Sequence, residues 1–591
     1  MSVARTWYVS CSPRSPEKIA PELALLARFD GVLWYEKDKL GHNKHQLAFA
    51  ELLKECETFE GSISAQNPDF SARDRIAPMK TCGFAHEDAQ GRMRITPAGW
   101  QLIRGERIQE LFLKQMLKWQ YPSYQHGGHF RTRHNYLPAK QMNVFPFVVT
   151  LDLAWRLEGL SKREIAAFVL PILHKDQVDK AEKAISQFRE SLAAFPGGRP
   201  RKEHADQVHR ERFRVLYADD IRAGRIATRE ARRAATMESF IATKVRNSLD
   251  IADAAIRYFR ATGLFTLEAR TDRLVISDFH RQEADQVLDT MTFEPVPFYA
   301  DVERFYEYMG NPEIPLLPWE DRAQLVAKVM ALQPDMDRPT LLNISISELK
   351  NLLLTLEEQH KQTTLEGYTV SLQQPSAVLD IVDMFERIRR KEVIDPPLFL
   401  EWNTWRALVA LNDYHRAQPN FIMDHDLQPL NCAGGKQADI EIEYNGFVLL
   451  VEVTLTGGLR QYEAEGEPVT RHIGEYQLRE QRSPKPRMTY GLFIAPTINP
   501  TTHNYFYVHL KHLAAPHLGG HVVIIPLTLA QFVDIFRFVK TEGRFSRHAF
   551  GKLLEQLVML KEHTTDSDQW VGAFPSVIEA WKQEVLSSGL N

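Results

Sequence analysis

Two acids thirteen residues apart, Asp439 and Glu452, are the residues whose types and setting most invite chemistry. They stand in "KQADIEIEYNGFVLLVEVTL", residues 436–455, where the carboxylate of Glu452 interrupts an apolar run from Phe447 to Leu455. The stretch reads as two strands joined by Asn445-Gly446, a dipeptide favoured at two-residue hairpin turns in which both positions take positive φ. Tyr444 then pairs with Phe447, and counting outward sets Asp439 directly opposite Glu452. Like charges facing each other across a sheet, with Cβ atoms about 4.5–5.5 Å apart, oppose folding unless something positive sits between them. A carboxylate buried in an apolar strand is itself costly, or takes up a proton. A hard divalent cation such as Mg²⁺ relieves both problems, because it accepts oxygen ligands and keeps waters for chemistry. Further acids lie nearby in sequence: Glu401 on a preceding helix, on a face with Trp405 and Leu408, and Glu465 with His472 after the second strand. Such a set of oxygens can bind one or two metals and align a water for in-line attack on a phosphodiester. The competing reading is a plain acidic strand edge, since Glu441 and Glu443 share the face of Asp439 by parity.

The elements that must position these groups can be read around them. "LFLEWNTWRALVALNDY" (398–414) predicts the helix that leads into the hairpin, and "TYGLFIAP" and "GHVVIIPLTLAQFVDIF" predict further buried strands, the second followed by a helix. Helix, hairpin, helix and more strands imply an α/β or α+β domain on a mixed sheet. From about 320 to 395 the periodicity is helical throughout. Earlier, "GRMRITPAGWQLIRG" (91–105) predicts a strand Arg92–Ile95 that turns through Thr96, an N-cap, and Pro97, the first helical position. A strand running into a capped helix fits the wing end of a winged-helix unit. The pattern recurs in "RLVISDFHRQEADQVLD" (273–289), with its strand ending at Ser277 and "LSKREIAAFVLPIL" (160–173) as an earlier helix. "FPGGRPRKEH" reads as a loop, and the proline- and aromatic-rich stretch 294–322 as a connection between halves.

At 591 residues the chain exceeds one core, and three or four domains are expected. A composition of 44% hydrophobic and 25% charged residues is that of an ordinary soluble protein. The net charge of −4 excludes a uniformly basic nucleic-acid coat, though not a locally basic face. Cys11, Cys56, Cys82 and Cys432 are far apart with no CxxC spacing, which implies a reduced, cytoplasmic protein without a cysteine-type zinc module. No membrane span or secretion-signal order is evident. There is no G-x-x-x-x-G-K-[ST], hence no sign of ATP-driven translocation, and no G-x-S-x-G elbow.

Donors that could reach DNA occur in two places. "SARDRIAPMK" offers Arg73, Arg75 and Lys80 in a short helix or loop, and "SYQHGGHFRTRHNY" offers Arg131 and Arg133, whose alternation on an extended segment points both guanidinium groups the same way. The arginine-rich stretch 189–233 reads as a solvated helix face or as a surface that holds phosphate backbone.

The spacing Asp439-x-Glu452 with "EVT" resembles the PD-(D/E)XK nuclease core, with Thr454 in place of the usual lysine. The longer string "VEVTLTGGLRQYEAEGEPVTRH", together with "FSARDRIAPMKTCGF" and "ITPAGW", is similar to the AlwI-like type IIS restriction and nicking endonucleases. That resemblance implies an α+β multidomain protein. Two DNA-recognition subdomains, 1–150 and a winged-helix-like 151–293, would be followed by a linker, 294–322, and a PD-(D/E)XK nuclease-like cleavage domain on a mixed sheet, 323–591. It further implies Mg²⁺ dependence, with Mn²⁺ able to substitute, and cleavage a few bases outside a short asymmetric site in double-stranded DNA, leaving a 5′-phosphate and a 3′-hydroxyl. On the family's pattern Glu401, Asp439 and Glu452 hold the metal, the Val453 carbonyl is a further ligand, and Glu465 and His472 are the supporting acid and base. Lys436 or His472 is then left to stabilise the charged transition state. One active site cuts one strand, so a small subunit or a transient homodimer is expected for the second, along with a cognate methyltransferase in the same system and no membrane partner. The alternatives are a non-enzymatic winged-helix DNA-binding regulator with a C-terminal dimerisation module, and a structure-specific repair nuclease.

Overall fold

The computed structural model describes residues 5–39, 41–56, 59, 68–123, 142–196, 198–227, 236–297, 301–542 and 547–587. It divides into two units, Met1–Leu354 and Thr355–Asn591. No described helix is long and apolar enough to cross a membrane.

The first unit is mainly helical and carries two small antiparallel ribbons: β1 (Ala85–Glu87) with β2 (Met93–Ile95), and β3 (Phe265–Glu268) with β4 (Arg273–Ile276). Both run directly into helices, Pro97–Arg104 and Arg281–Thr290, as the sequence predicts. The Thr96 hydroxyl accepts from the Gly99 N–H (3.0 Å) and donates to the Gly83 carbonyl (2.7 Å), so the cap also ties the helix start to the preceding turn. Residues 160–173 are helical in part, Lys162–Glu164 and then a π-turn Ile165–Val169, and Leu160 bridges to Leu274 on β4.

Two expectations differ from what is found. "FPGGRPRKEH" is loop only to Gly198: an 18-residue helix starts at Arg199, where proline at the next position lacks only an N–H that the first turn leaves unpaired anyway. The 294–322 stretch is folded into the first unit. Its helix Val302–Gly310 buries Phe305 and Met309, and the Lys118 ammonium donates to the Met309 (2.9 Å) and Asn311 (2.6 Å) carbonyls.

A 27-residue helix, Ile346–Leu372, carries the chain from one unit into the next. In the second unit the chain passes through β5 (Arg416–Pro419), a small hairpin of β6 (Ile422–Met423) and β7 (Pro429–Asn431), then β8 (Ile440–Glu443), β9 (Phe447–Val453), β10 (Met488–Ala495) and β11 (Ile524–Thr528). Five of these make one mixed sheet in the order β11-β10-β9-β8-β5. β9, β10 and β11 are parallel, and β8 pairs antiparallel with β9 and with β5. The helix Leu459–Glu480 crosses over from β9 to its parallel neighbour β10, and Val469 and Ile473 from it pack on Val448, Leu450 and Phe493 of the sheet. Each such side chain contributes about 1.5–3 kcal/mol on full burial, which holds the helix against the sheet. Gly491 permits that approach, since a Cβ there would lie 2.4 Å from the Ile473 Cδ1. The helix Pro396–Leu411, buried along its whole length, precedes the sheet and brings Glu401 into the interior.

Candidate active site

The hairpin has the register that the sequence predicts. Ile440 pairs with Val451, Glu441 with Leu450 and Glu443 with Val448, so the next step outward sets Asp439 against Glu452. The turn itself differs from expectation: neither Asn445 nor Gly446 takes left-handed backbone. The two-residue loop, and with it the register, is kept without the mirror-image turn.

Each acid is held by a specific protein partner. Asp439 Oδ2 accepts from the Val453 N–H (2.8 Å), one residue beyond Glu452 on the facing strand. Glu452, only 7% exposed, has its Oε1 2.8 Å from His472 Nδ1. Glu401, also 7% exposed, accepts from the Ala433 N–H through Oε2 (3.0 Å). Glu465 sits half-buried on the helix that carries His472, seven residues or two turns earlier and hence on the same face. The structure therefore brings Asp439, Glu452, Glu401, Glu465 and His472 into one neighbourhood.

Acidic groups dominate the electrostatics of this neighbourhood, and His472 offsets them at Glu452. Burial, then the charges of Glu401 and Glu452, push Asp439 well above the usual carboxylate range, against the pull of the Val453 N–H. Burial raises Glu401 to about 7, with Asp395 and Glu452 adding to it and the Cys432 thiol and Ala433 N–H opposing. Burial also raises Glu452, while His472 pulls it down. For His472 burial disfavours the charged ring, yet the bonds to Glu452 and to the Gly435 carbonyl (3.0 Å from Nε2) raise it overall. With a carboxylate on one nitrogen and a carbonyl on the other, the ring has a donor's partner on both sides, the arrangement of an imidazolium. The other acids of β8 are differently placed: Glu443 is matched by Arg416 (3.1 Å) and Arg487 (3.0 Å), and Glu441 accepts from Asn420 (3.2 Å).

Among the described residues, no three His, Cys, Asp or Glu side chains converge on one ion position. The chemistry of the donor set nevertheless fits a hard divalent cation. Several buried carboxylates raise one another, and Asp439 and Glu452 each commit one oxygen to the hydrogen bonds described. Thr454, where the generic nuclease motif has lysine, is 8% exposed, and its hydroxyl accepts from the Thr456 N–H (3.0 Å), so it brings no charge to the site. Lys436 is exposed and lies three residues before Asp439, in a segment fixed by the bond from His472 to Gly435.

The predicted DNA donors are placed less uniformly. Arg73, Arg75 and Lys80 lie on the helix Pro68–Thr81, from which Arg73 is exposed. Arg75 instead turns inward to the buried Glu22 (2.8 Å), under the Phe59 ring, and Lys80 pairs with Glu87. In this arrangement both are ties within the first unit rather than groups presented to a duplex. Arg131 and Arg133 lie outside the described residues. Part of the arginine-rich stretch is internally paired as well: Arg189 with Glu164, Arg199 with Glu203, Arg222 with Asp219 and Arg225 with Asp220.

Two groups near the acids escaped the sequence reading. Asp395, 7% exposed, acts on Glu401 from the start of the same helix. Arg479 stands seven residues after His472, and that helical spacing was the available signal.

Comparison with known proteins gives the family directly. The AlwI restriction endonuclease model matches residues 80–535. No curated protein matches. Among solved structures, the small subunit (R.BspD6I2) of the heterodimeric restriction endonuclease R.BspD6I is 28% identical at a TM-score of 0.29, covering 34% of this chain and 98% of that one. The binding domain of BpuJ1 endonuclease, solved with modified DNA, is 15% identical at 0.26, covering 45% and 86%. The restriction endonuclease FokI is 11% identical at 0.23, covering 93% and 99%. The family model spans well over half of the chain, including Asp395, Glu401, Asp439, Glu452 and Glu465. A buried acidic set on a mixed sheet and a match of that extent lead to one conclusion: the chain belongs to the AlwI restriction endonuclease family, whose members are DNA endonucleases.

Proposed function

We propose that this protein is a site-specific endonuclease of the type IIS or strand-nicking kind. It hydrolyses a phosphodiester a few bases to one side of a short asymmetric site and leaves a 5′-phosphate and a 3′-hydroxyl. The observation that carries this reading is the pair Asp439 and Glu452, two acids from adjacent strands of a PD-(D/E)XK-like core, each raised by burial and by its acidic neighbours. Asp439, Glu452, Glu401 and the Val453 carbonyl would hold Mg²⁺ or Mn²⁺. When bound, that ion supplies neutralising charge and a nucleophilic water at neutral pH. The protein's own part is orientation. The Val453 N–H fixes the Asp439 carboxylate and His472 fixes that of Glu452; Glu465, on the same helix as His472, would share the attacking water's proton.

Recognition would belong to residues 1–293, read as two winged-helix-like subdomains, 1–150 and 151–293, whose ribbons β1–β2 and β3–β4 are the wings. Residues 294–322 lead on to the cleavage part, 323–591. One acidic centre per chain cuts one strand, so cleavage of both would need a second copy or a small subunit. A cognate methyltransferase would protect the host's sites, and the cytoplasm is the expected compartment.

Supercoiled plasmid incubated with the protein and Mg²⁺ tests the proposal. Discrete nicked or linear products are expected, and run-off sequencing of them reads the site and the offset. Asp439→Ala and Glu452→Ala should each abolish cutting and leave specific binding in Ca²⁺ intact. Unchanged plasmid with wild-type protein, or retained cutting in either variant, would overturn the assignment.

A further inference from the structure

With lysine absent at Thr454 and His472 engaged through both nitrogens, the positive charge that must meet the DNA backbone has to come from elsewhere. A recess of about 280 Å³ opens beside the acids, between β8 and the helix Leu459–Glu480. Its floor is Ala438 and Leu450, and His472 and Tyr476 stand in its wall. Two cations line it, Lys436 from the segment before β8 and Arg479 from the last turn of the helix.

We infer that this recess holds a backbone phosphate of the cleaved strand within about three nucleotides of the scissile one, gripped by Arg479 and Lys436. His472, Tyr476 and Arg479 recur at helical spacing, so they form one stripe facing the recess, and Arg479 lies about 10 Å along the helix from the ring that touches Glu452. That span is about three base-pair rises of a duplex strand, within reach of a neighbouring phosphate. The protein holds the Arg479 side chain and the Lys436 backbone before DNA arrives. Arg479, which lines the recess, is laid over the Tyr476 ring (5.2 Å to its centre). Lys436 follows Gly435, whose carbonyl is tied to His472, and its own N–H bonds the Gly434 carbonyl (2.8 Å). Glu441 and Glu475 also line the recess. Glu441 is bound by Asn420, and Lys436 and Arg479 match these two carboxylates in number. A planar guanidinium fork at the mouth suits a phosphate's paired oxygens.

This inference rests on the acids being the cutting centre, and the test separates the two. Cognate duplexes carry a single neutral methylphosphonate at each of three positions on either side of the scissile bond, and single-turnover cleavage with Mg²⁺ is followed for wild type, Arg479→Gln and Lys436→Gln. Wild-type cleavage of the unmodified duplex is the control for the cutting centre. One flanking position should slow wild type about 10- to 100-fold. Arg479→Gln should slow unmodified DNA comparably and be indifferent to neutralisation at that one position, while remaining sensitive elsewhere. Arg479→Lys should restore part of the rate, and unchanged thermal unfolding of each variant excludes a folding effect. Wild-type rates in Arg479→Gln, or losses that multiply fully with every methylphosphonate, would refute the phosphate clamp while leaving the acids' role intact.

Discussion

Buried charge is handled in opposite ways in the two units. In the first, Glu320 is buried between Lys114 (2.8 Å) and Lys350, with the Leu317 N–H on its other oxygen. Burial alone would raise its pKa, but those three partners outweigh it and hold the carboxyl below its ordinary value. Glu283 behaves alike: against burial, His280 and Lys328 bring it down to about 2. In the second unit Glu401 and Glu452 are as deeply set and Asp439 is half-buried; the charges acting on Glu401 and Asp439 are those of other acids, Glu452 has His472 against it, and all three are raised. A buried charge that has partners costs a fold less than one that lacks them, and a set of like charges that raise one another weakens it.

The sharpest break of that contrast is Asp439→Asn. Cleavage should fall by about 10³-fold, while the unfolding midpoint without divalent ions stays level or rises, because a repulsive charge is gone. In wild type Ca²⁺ should raise that midpoint, and in the variant it should not. A midpoint that drops sharply in the variant would assign Asp439 a structural role. Next, Glu320→Ala leaves two buried ammonium groups with Glu110 as their remaining carboxylate and should cost about 1.5–3 kcal/mol, read from denaturant titration. A loss under 1 kcal/mol would place the network among dispensable ones. Third is pH. The folded pKa of Glu283 lies below its ordinary value of 4.5, so its contribution is present above pH 4.5 and is lost as pH falls toward 2. Glu283→Gln should remove about 3 kcal/mol of that acid limb, and an unaltered acid limb would deny the coupling to Lys328. Smallest is Arg199→Ala, at an exposed pair with Glu203. It should leave the midpoint where it is, and a measurable shift would show that exposure does not decide the matter.

How far the sequence could be read depended on how local the cause was. The strand Met93–Ile95 and its Thr96 cap follow from residues next to one another, and so does the register of β8 with β9, which only parity and a two-residue loop are needed to fix. The turn type was misjudged because Asn-Gly tolerates left-handed backbone without requiring it. Arg75 and Lys80 have the composition of a DNA contact, but their direction is decided by Glu22, which is 53 residues away, and by Glu87 on β1. Likewise the meeting of His472 with Gly435 needs the helix Leu459–Glu480 to fold back over the sheet, which no local pattern reports. The inward face of 294–322 was hidden by its prolines, which read as a linker although Phe305 and Met309 are core.

The bend at Asn445-Gly446 has a wider meaning for how such a centre stays aligned. Six residues of strand, about 20 Å at full extension, separate it from Asp439. A single extra residue there would slide one rail of the ladder past the other and turn Asp439 or Glu452 toward the opposite side of the sheet. The distant bend thus acts as a vernier for the acids, and selection can act on its length as strictly as on the carboxylates themselves.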